Sequence, residues 1–188
     1  MSLAVIFMIL SELCRIKIFM KRLFFALWPD NAIRKQINGL NQSITSADLN
    51  KVYLDNLHVT LVFLGQVDSK SEAKIIACTD NISQPAFSLH FERLVFWKKP
   101  RILCLTTQQY DPQLLILLNA LKNIVRQCGV QTEDRPYRPH ITLARKATQN
   151  ISRKIGPIKW QAQSFCLLQS CSTPSGVKYQ VLQRWDLN

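Results

Sequence analysis

At 188 residues the chain suits one compact domain, or two small lobes sharing a core, and 47% hydrophobic content with mean hydropathy near zero is that of a soluble globular protein. Twenty-four Lys and Arg against twelve Asp and Glu give a formal charge of +12 and a pI of about 9.7. That balance attracts nucleic acid or a phosphorylated substrate, or serves solubility alone.

The six cysteines include no Cys-x-x-Cys pair, so metal-site spacing is absent. They read as free buried thiols in a reducing cytoplasm rather than as a disulfide framework.

In chain order, the apolar run 3–10 is too short to span a bilayer and lacks the flanks of a signal peptide. Met20-Lys21-Arg22-Leu23 reads as a natural start, making residues 1–19 an extension ahead of one domain over 20–188. Residues 22–28 predict an aromatic-rich strand. Asp30 predicts the cap of a helix with Ile33, Ile37 and Leu40 on one face. Residues 41–56 read as a loop with one turn of helix.

A strand follows, ending at Gly65, and Ser69-x-x-Glu72 predicts a capping box for a helix to about Cys78. Residues 85–97 and 102–106 predict a hairpin across the basic turn Lys98-Lys99-Pro100-Arg101. Asp111-Pro112 opens a helix striped with Leu114, Leu117, Leu118, Leu121, Ile124 and Val125, stopped by Gly129. An Arg-rich loop over 131–139 leads into another strand. A soluble linker over 147–157 and a last hairpin, 162–171 with 177–185, close the chain.

Two strands carry one motif. Leu57-His58-Val59-Thr60-Leu61 returns as Pro139-His140-Ile141-Thr142-Leu143, and two of the three histidines fall in it. Alternation along a strand places each His and its Thr on one face and the apolar neighbours on the other. The expected architecture is α+β and bilobal, with two largely antiparallel sheets, outer helices, and one motif per lobe facing a central groove. His90 lies outside the motif and reads as structural.

Three chemistries compete for the pair. A zinc site needs a third ligand, and no carboxylate lies within either motif. A Ser or Cys nucleophile lacks any nucleophile elbow or Cys-His pattern. Paired general acid–base catalysis on a phosphate ester uses every repeated residue, the two imidazoles to move protons and the two hydroxyls to hold phosphoryl oxygens. The motifs are near-symmetric, so the residues alone do not say which histidine is the acid. A nucleotide-binding module without turnover is the rival from another class.

The paired His-x-Thr-Leu motifs resemble those of the two-histidine (2H) phosphoesterase superfamily. More narrowly, Arg22-Leu-Phe-Phe-Ala-Leu, Asn56 to Gly65, Arg135 to Arg145 and Tyr179 to Trp185 are similar to blocks of the bacterial RNA 2′,3′-cyclic phosphodiesterases, also called 2′-5′ RNA ligases. The resemblance covers about residues 20–187. It implies an open, V-shaped active site, no metal and no cofactor, and hydrolysis of 2′,3′-cyclic phosphate on RNA ends or nucleotides to a 2′-phosphomonoester. Reversible 2′-5′ ligation is implied as well. Another small cyclic phosphodiester, such as ADP-ribose cyclic phosphate, is the alternative substrate within the superfamily.

The implied roles are His58 as proton donor and His140 as proton acceptor. Thr60 and Thr142 hold the phosphate, and Arg145 adds a phosphate contact. Phe24 and Trp97 are candidates for stacking a nucleobase, and Arg135, Tyr137 and Arg138 for the rim. The expected protein is a cytoplasmic monomer with no membrane partner.

Overall fold

The computed structural model describes residues 20–44, 49–148, 151–174 and 176–188. The expected extension over 1–19 lies outside the described residues. Strand β1 (Met20–Leu27) leads to helix α1 (Asn31–Ser43), whose cap is Asp30: its Oδ1 accepts from the Ile33 N–H at 2.8 Å. A short strand β2 (Asn50–Lys51) and a 3-10 turn (Leu54–Asn56) precede the first motif strand, β3 (Val59–Asp68). Gly65 does not end β3; at φ 73° it lets the strand bend and continue.

Helix α2 (Ser69–Thr79) is capped by Asp68 rather than by Ser69. The Asp68 carboxylate accepts from the backbone N–H groups of Lys70 and Ser71 at 2.9 and 3.0 Å. A charged acceptor at the strand end takes the role expected of the hydroxyl. Glu72, freed from the capping box, pairs with Lys21 at 2.8 Å.

The second half contains β4 (Phe87–Trp97), β5 (Ile102–Thr106), α3 (Pro112–Gln127) and the second motif strand β6 (His140–Arg145). Asp111 caps α3, and five of its six stripe residues are buried; Ile124 is half-buried. Then come β7 (Ser152–Ala162), β8 (Ser164–Thr173) and β9 (Gly176–Asp186). The predicted linker over 147–157 is therefore largely strand. Its polar run Ser152-Arg153-Lys154 pairs by backbone with β4, as an edge strand does without an apolar pattern.

All the described strands pair antiparallel in one sheet of order β7-β4-β5-β6-β3-β1-β8-β9, with β2 beside β6. The two sheets expected from the sequence are thus two arms that meet along β3 and β6. Their junction is a single residue pair, Val59 with Ile141. The last hairpin, β8–β9, joins the arm of the first motif, whereas β7 completes the arm of the second. One buried core runs under both arms and takes in the apolar faces of the helices. A smaller cluster of Phe24, Ala26, Cys166 and Leu168, with Trp28 and Tyr179 against it, forms on the opposite face. Among the described residues no helix is long and apolar enough to cross a membrane.

Candidate active site

The junction pair organises the site. Val59 and Ile141 are fully buried, so the flanking side chains, His58 and Thr60 on one strand and His140 and Thr142 on the other, turn to the opposite face. All four are half-buried. The one point where the arms join is therefore also where the four motif side chains gather.

Each motif strand also carries a bulge at its Leu. Ala26 pairs with Thr60 and Phe25 with Val62, leaving Leu61 extra; Cys104 pairs with Thr142 and Leu103 with Ala144, leaving Leu143 extra. The bulged pairs Leu61-Val62 and Leu143-Ala144 are buried together, which reverses the alternation beyond them. Phe63 and Arg145 thereby emerge exposed on the face of the histidines, although plain alternation from His58 and His140 would aim both into the core. Sequence pattern signals Arg145 only through the family resemblance. Phe63, 47% exposed, it missed.

Both imidazoles are oriented alike. His58 Nδ1 lies 2.6 Å from the Asn56 carbonyl oxygen, and His140 Nδ1 lies 2.9 Å from that of Arg138. A carbonyl only accepts, so each Nδ1 carries the proton and each Nε2 is left for chemistry. In the neutral His58 ring the Thr60 hydroxyl donates to Nε2 at 3.1 Å. The Thr142 hydroxyl makes no hydrogen bond among the described residues.

Surroundings separate the two rings. His58 is walled by Phe24, Trp28 and Tyr179, with ring centroids 5.2, 6.3 and 4.9 Å away. Arg34 stacks on Trp28, its guanidinium carbon 4.6 Å from the ring centre. Burial, and then the charges of His140, Arg145 and Arg34, lower the His58 pKa to about 4, against the raising effect of the Asn56 carbonyl. Among the described residues His140 touches one aromatic ring, Trp97, at 4.6 Å. Its pKa is lowered too, first by burial and then by Arg135 and Arg145, while the Arg138 carbonyl acts in the raising direction. Arg145 is thus close enough to act on both imidazoles.

Two further residues escaped the sequence reading in these roles. Asn56, buried, donates to the Val177 carbonyl at 2.7 Å and accepts from the Tyr179 N–H at 3.3 Å. It pins the loop that holds His58 to β9. Tyr137, expected at the rim, instead donates to the Thr60 carbonyl at 3.0 Å and ties the second motif's approach loop to the first motif. Arg135 and Arg138 are exposed, with Arg135 paired to Glu133 at 2.7 Å.

Phe24 is corrected. It is 2% exposed and packed beneath His58, Phe63 and Tyr179, so no ring face is left for a base. Trp97 remains half-exposed beside His140. Among the described residues no three His, Cys, Asp or Glu side chains cluster as metal ligands, and the described cysteines are free.

The family model of the 2′-5′ RNA ligase superfamily matches residues 29–170. The chain belongs to that superfamily. It is 31% identical over 170 residues to the RNA 2′,3′-cyclic phosphodiesterase of Escherichia coli, covering 89% of this chain and 97% of that protein. A Bacillus subtilis protein of the same name is 33% identical over 142 residues, covering 70% and 76%. The crystal structure of E. coli LigT complexed with 3′-AMP superimposes with a TM-score of 0.83 at 31% identity, covering 90% of this chain and 99% of that one.

Proposed function

We propose that this protein hydrolyses terminal 2′,3′-cyclic phosphates of RNA or nucleotides to 2′-phosphomonoesters, with His140 as base and His58 as acid. The neutral His140 Nε2 takes a proton from water as its oxygen attacks phosphorus. The bond from phosphorus to the 3′-oxygen breaks, and His58 Nε2–H gives that oxygen its proton. Thr60, Thr142 and Arg145 donate to the non-bridging oxygens, where charge is concentrated in the transition state. With an RNA 5′-hydroxyl attacking in place of water, the same proton transfers make a 2′-5′ linkage, and their reversal cleaves it.

The observation that carries this reading is the matched orientation of the two rings. Each Nδ1 is tied to a carbonyl, and each ring flanks the single pair joining the arms. The low pKa of His58 keeps the resting ring neutral; an anionic phosphate placed against Nε2 favours the imidazolium and arms it as the acid. Neither motif needs a metal for these steps, and the protein acts as a cytoplasmic monomer.

Turnover of 2′,3′-cyclic AMP in the presence of EDTA, with phosphorus NMR of the product, tests the proposal. It expects 2′-AMP. A 3′-AMP product contradicts the leaving group, and loss of turnover with EDTA contradicts metal-free chemistry. RNA binding without turnover supports a binding module instead.

A further inference from the structure

We infer that the tip of the β4–β5 hairpin is a second phosphate-binding site, which takes the single-stranded RNA backbone on the 5′ side of the reacting end. The inference rests on the proposed RNA-end activity but concerns residues outside the catalytic set. An open cleft of about 830 Å³ lies at the tip, lined by Phe96, Lys98, Lys99, Arg101 and Ala147 among others, with neither histidine in its wall. Three of its lining residues are cationic and none is acidic. Lys98 and Lys99 are exposed and form no ion pair among the described residues. Arg101 donates through Nε to the Ala147 carbonyl at 3.5 Å, and its terminal nitrogens have no partner there.

Geometry joins this cleft to the site. Ala147 stands two residues beyond Arg145, and the Ala147 N–H donates to the Arg101 carbonyl at 3.1 Å, clasping the tip to the end of β6. Trp97, next to Lys98 in the chain, reaches His140 on the other side. Arg101 and Lys146, which face each other across this clasp, have left-handed φ values of 63° and 55°. Such strain in non-glycine residues gathers where function requires it. An RNA end held at His58, His140 and Arg145 therefore has a short cationic path, through Lys146, to Lys98, Lys99 and Arg101. Phe96, half-buried in the cleft, offers a ring to an adjacent base.

The test pairs direct binding with turnover. A labelled short oligoribonucleotide ending in a 3′-hydroxyl is titrated against the full chain and the variant Lys98→Gln/Lys99→Gln/Arg101→Asn; Asn tolerates the left-handed position. Three lost phosphate contacts are expected to weaken binding by about 10–100-fold at 0.1 M salt and to reduce the log–log salt slope by about 2. Turnover of 2′,3′-cyclic AMP should be unchanged. Lys98→Gln/Lys99→Gln, which removes no side-chain hydrogen bond or ion pair among the described residues, should show the larger part of the effect and guards against misfolding of the triple variant. Unchanged RNA affinity and salt slope in the double variant overturn the inference, as does equal loss on RNA and mononucleotide. Because the binding arm uses RNA without a cyclic phosphate, a wild-type protein that binds it but hydrolyses nothing refutes the activity and leaves this site standing.

Discussion

The two motif regions have nearly the same sequence and the same bulged strand, yet they make unlike chemical settings. Around His58 the walls are Phe24, Trp28 and Tyr179, the Thr60 hydroxyl is already on Nε2, and the bulge delivers a phenyl ring, Phe63. Around His140, among the described residues, there is one aromatic neighbour, a Thr142 hydroxyl with no hydrogen bond, and a bulge that delivers a guanidinium, Arg145. The repeat sets backbone and ring orientation. The residues between and beyond the repeats set charge and solvation, and these separate the partners' roles.

The largest expected effect removes the partners themselves. His58→Ala and His140→Ala should each lower kcat by roughly 10²–10⁴-fold, the usual contribution of a general acid or base. Full activity in either variant, measured on 2′,3′-cyclic AMP, ends the comparison.

Next come the hydroxyls. Thr142→Val removes a donor that the resting protein leaves for substrate, and a loss of about 10²–10³-fold in kcat is expected. Thr60→Val removes the same donor and also the hydrogen bond to His58 Nε2, so it alone should move the pH dependence. Identical pH profiles in the two valine variants contradict the asymmetry.

Arg145→Gln should raise KM by about 10–100-fold, as loss of a charge-assisted hydrogen bond does. It should also relax both imidazoles. The Arg145 charge lowers each pKa, so its removal raises each, and the kcat/KM bell, centred below pH 6.5 in the wild type, should move to higher pH. An unmoved bell separates Arg145 from the pair.

A smaller effect concerns position. Asn56→Ala breaks the tie between the His58 loop and β9, so kcat should fall more than KM rises, with an altered pH limb assigned to His58. A fall in thermal stability with unchanged kinetics reduces Asn56 to a structural residue.

Much of this was legible in local chemistry. Asp30, Asp111 and Gly129 punctuate helices through their own side chains or lack of one, and the His-x-Thr alternation depends only on strand geometry. What escaped depends on distant partners. The first half of β7 is a polar edge whose pairing to β4 leaves no apolar pattern, and β8–β9 crosses to β1 by contacts far apart in sequence. An extra residue at Leu61 or Leu143 is invisible in an apolar run, yet it aims Phe63 and Arg145. Phe24 reads as an aromatic near a motif, and only the packing of His58 and Tyr179 above it shows that it is floor.

The division of labour is tested most directly by the pH dependence of the residual kcat in the two alanine variants. With His140→Ala the remaining His58 acts as the acid, so the rate should only fall as pH rises. With His58→Ala the remaining His140 acts as the base, so the rate should only rise to a plateau. The opposite pair of slopes would contradict the account by exchanging the two roles.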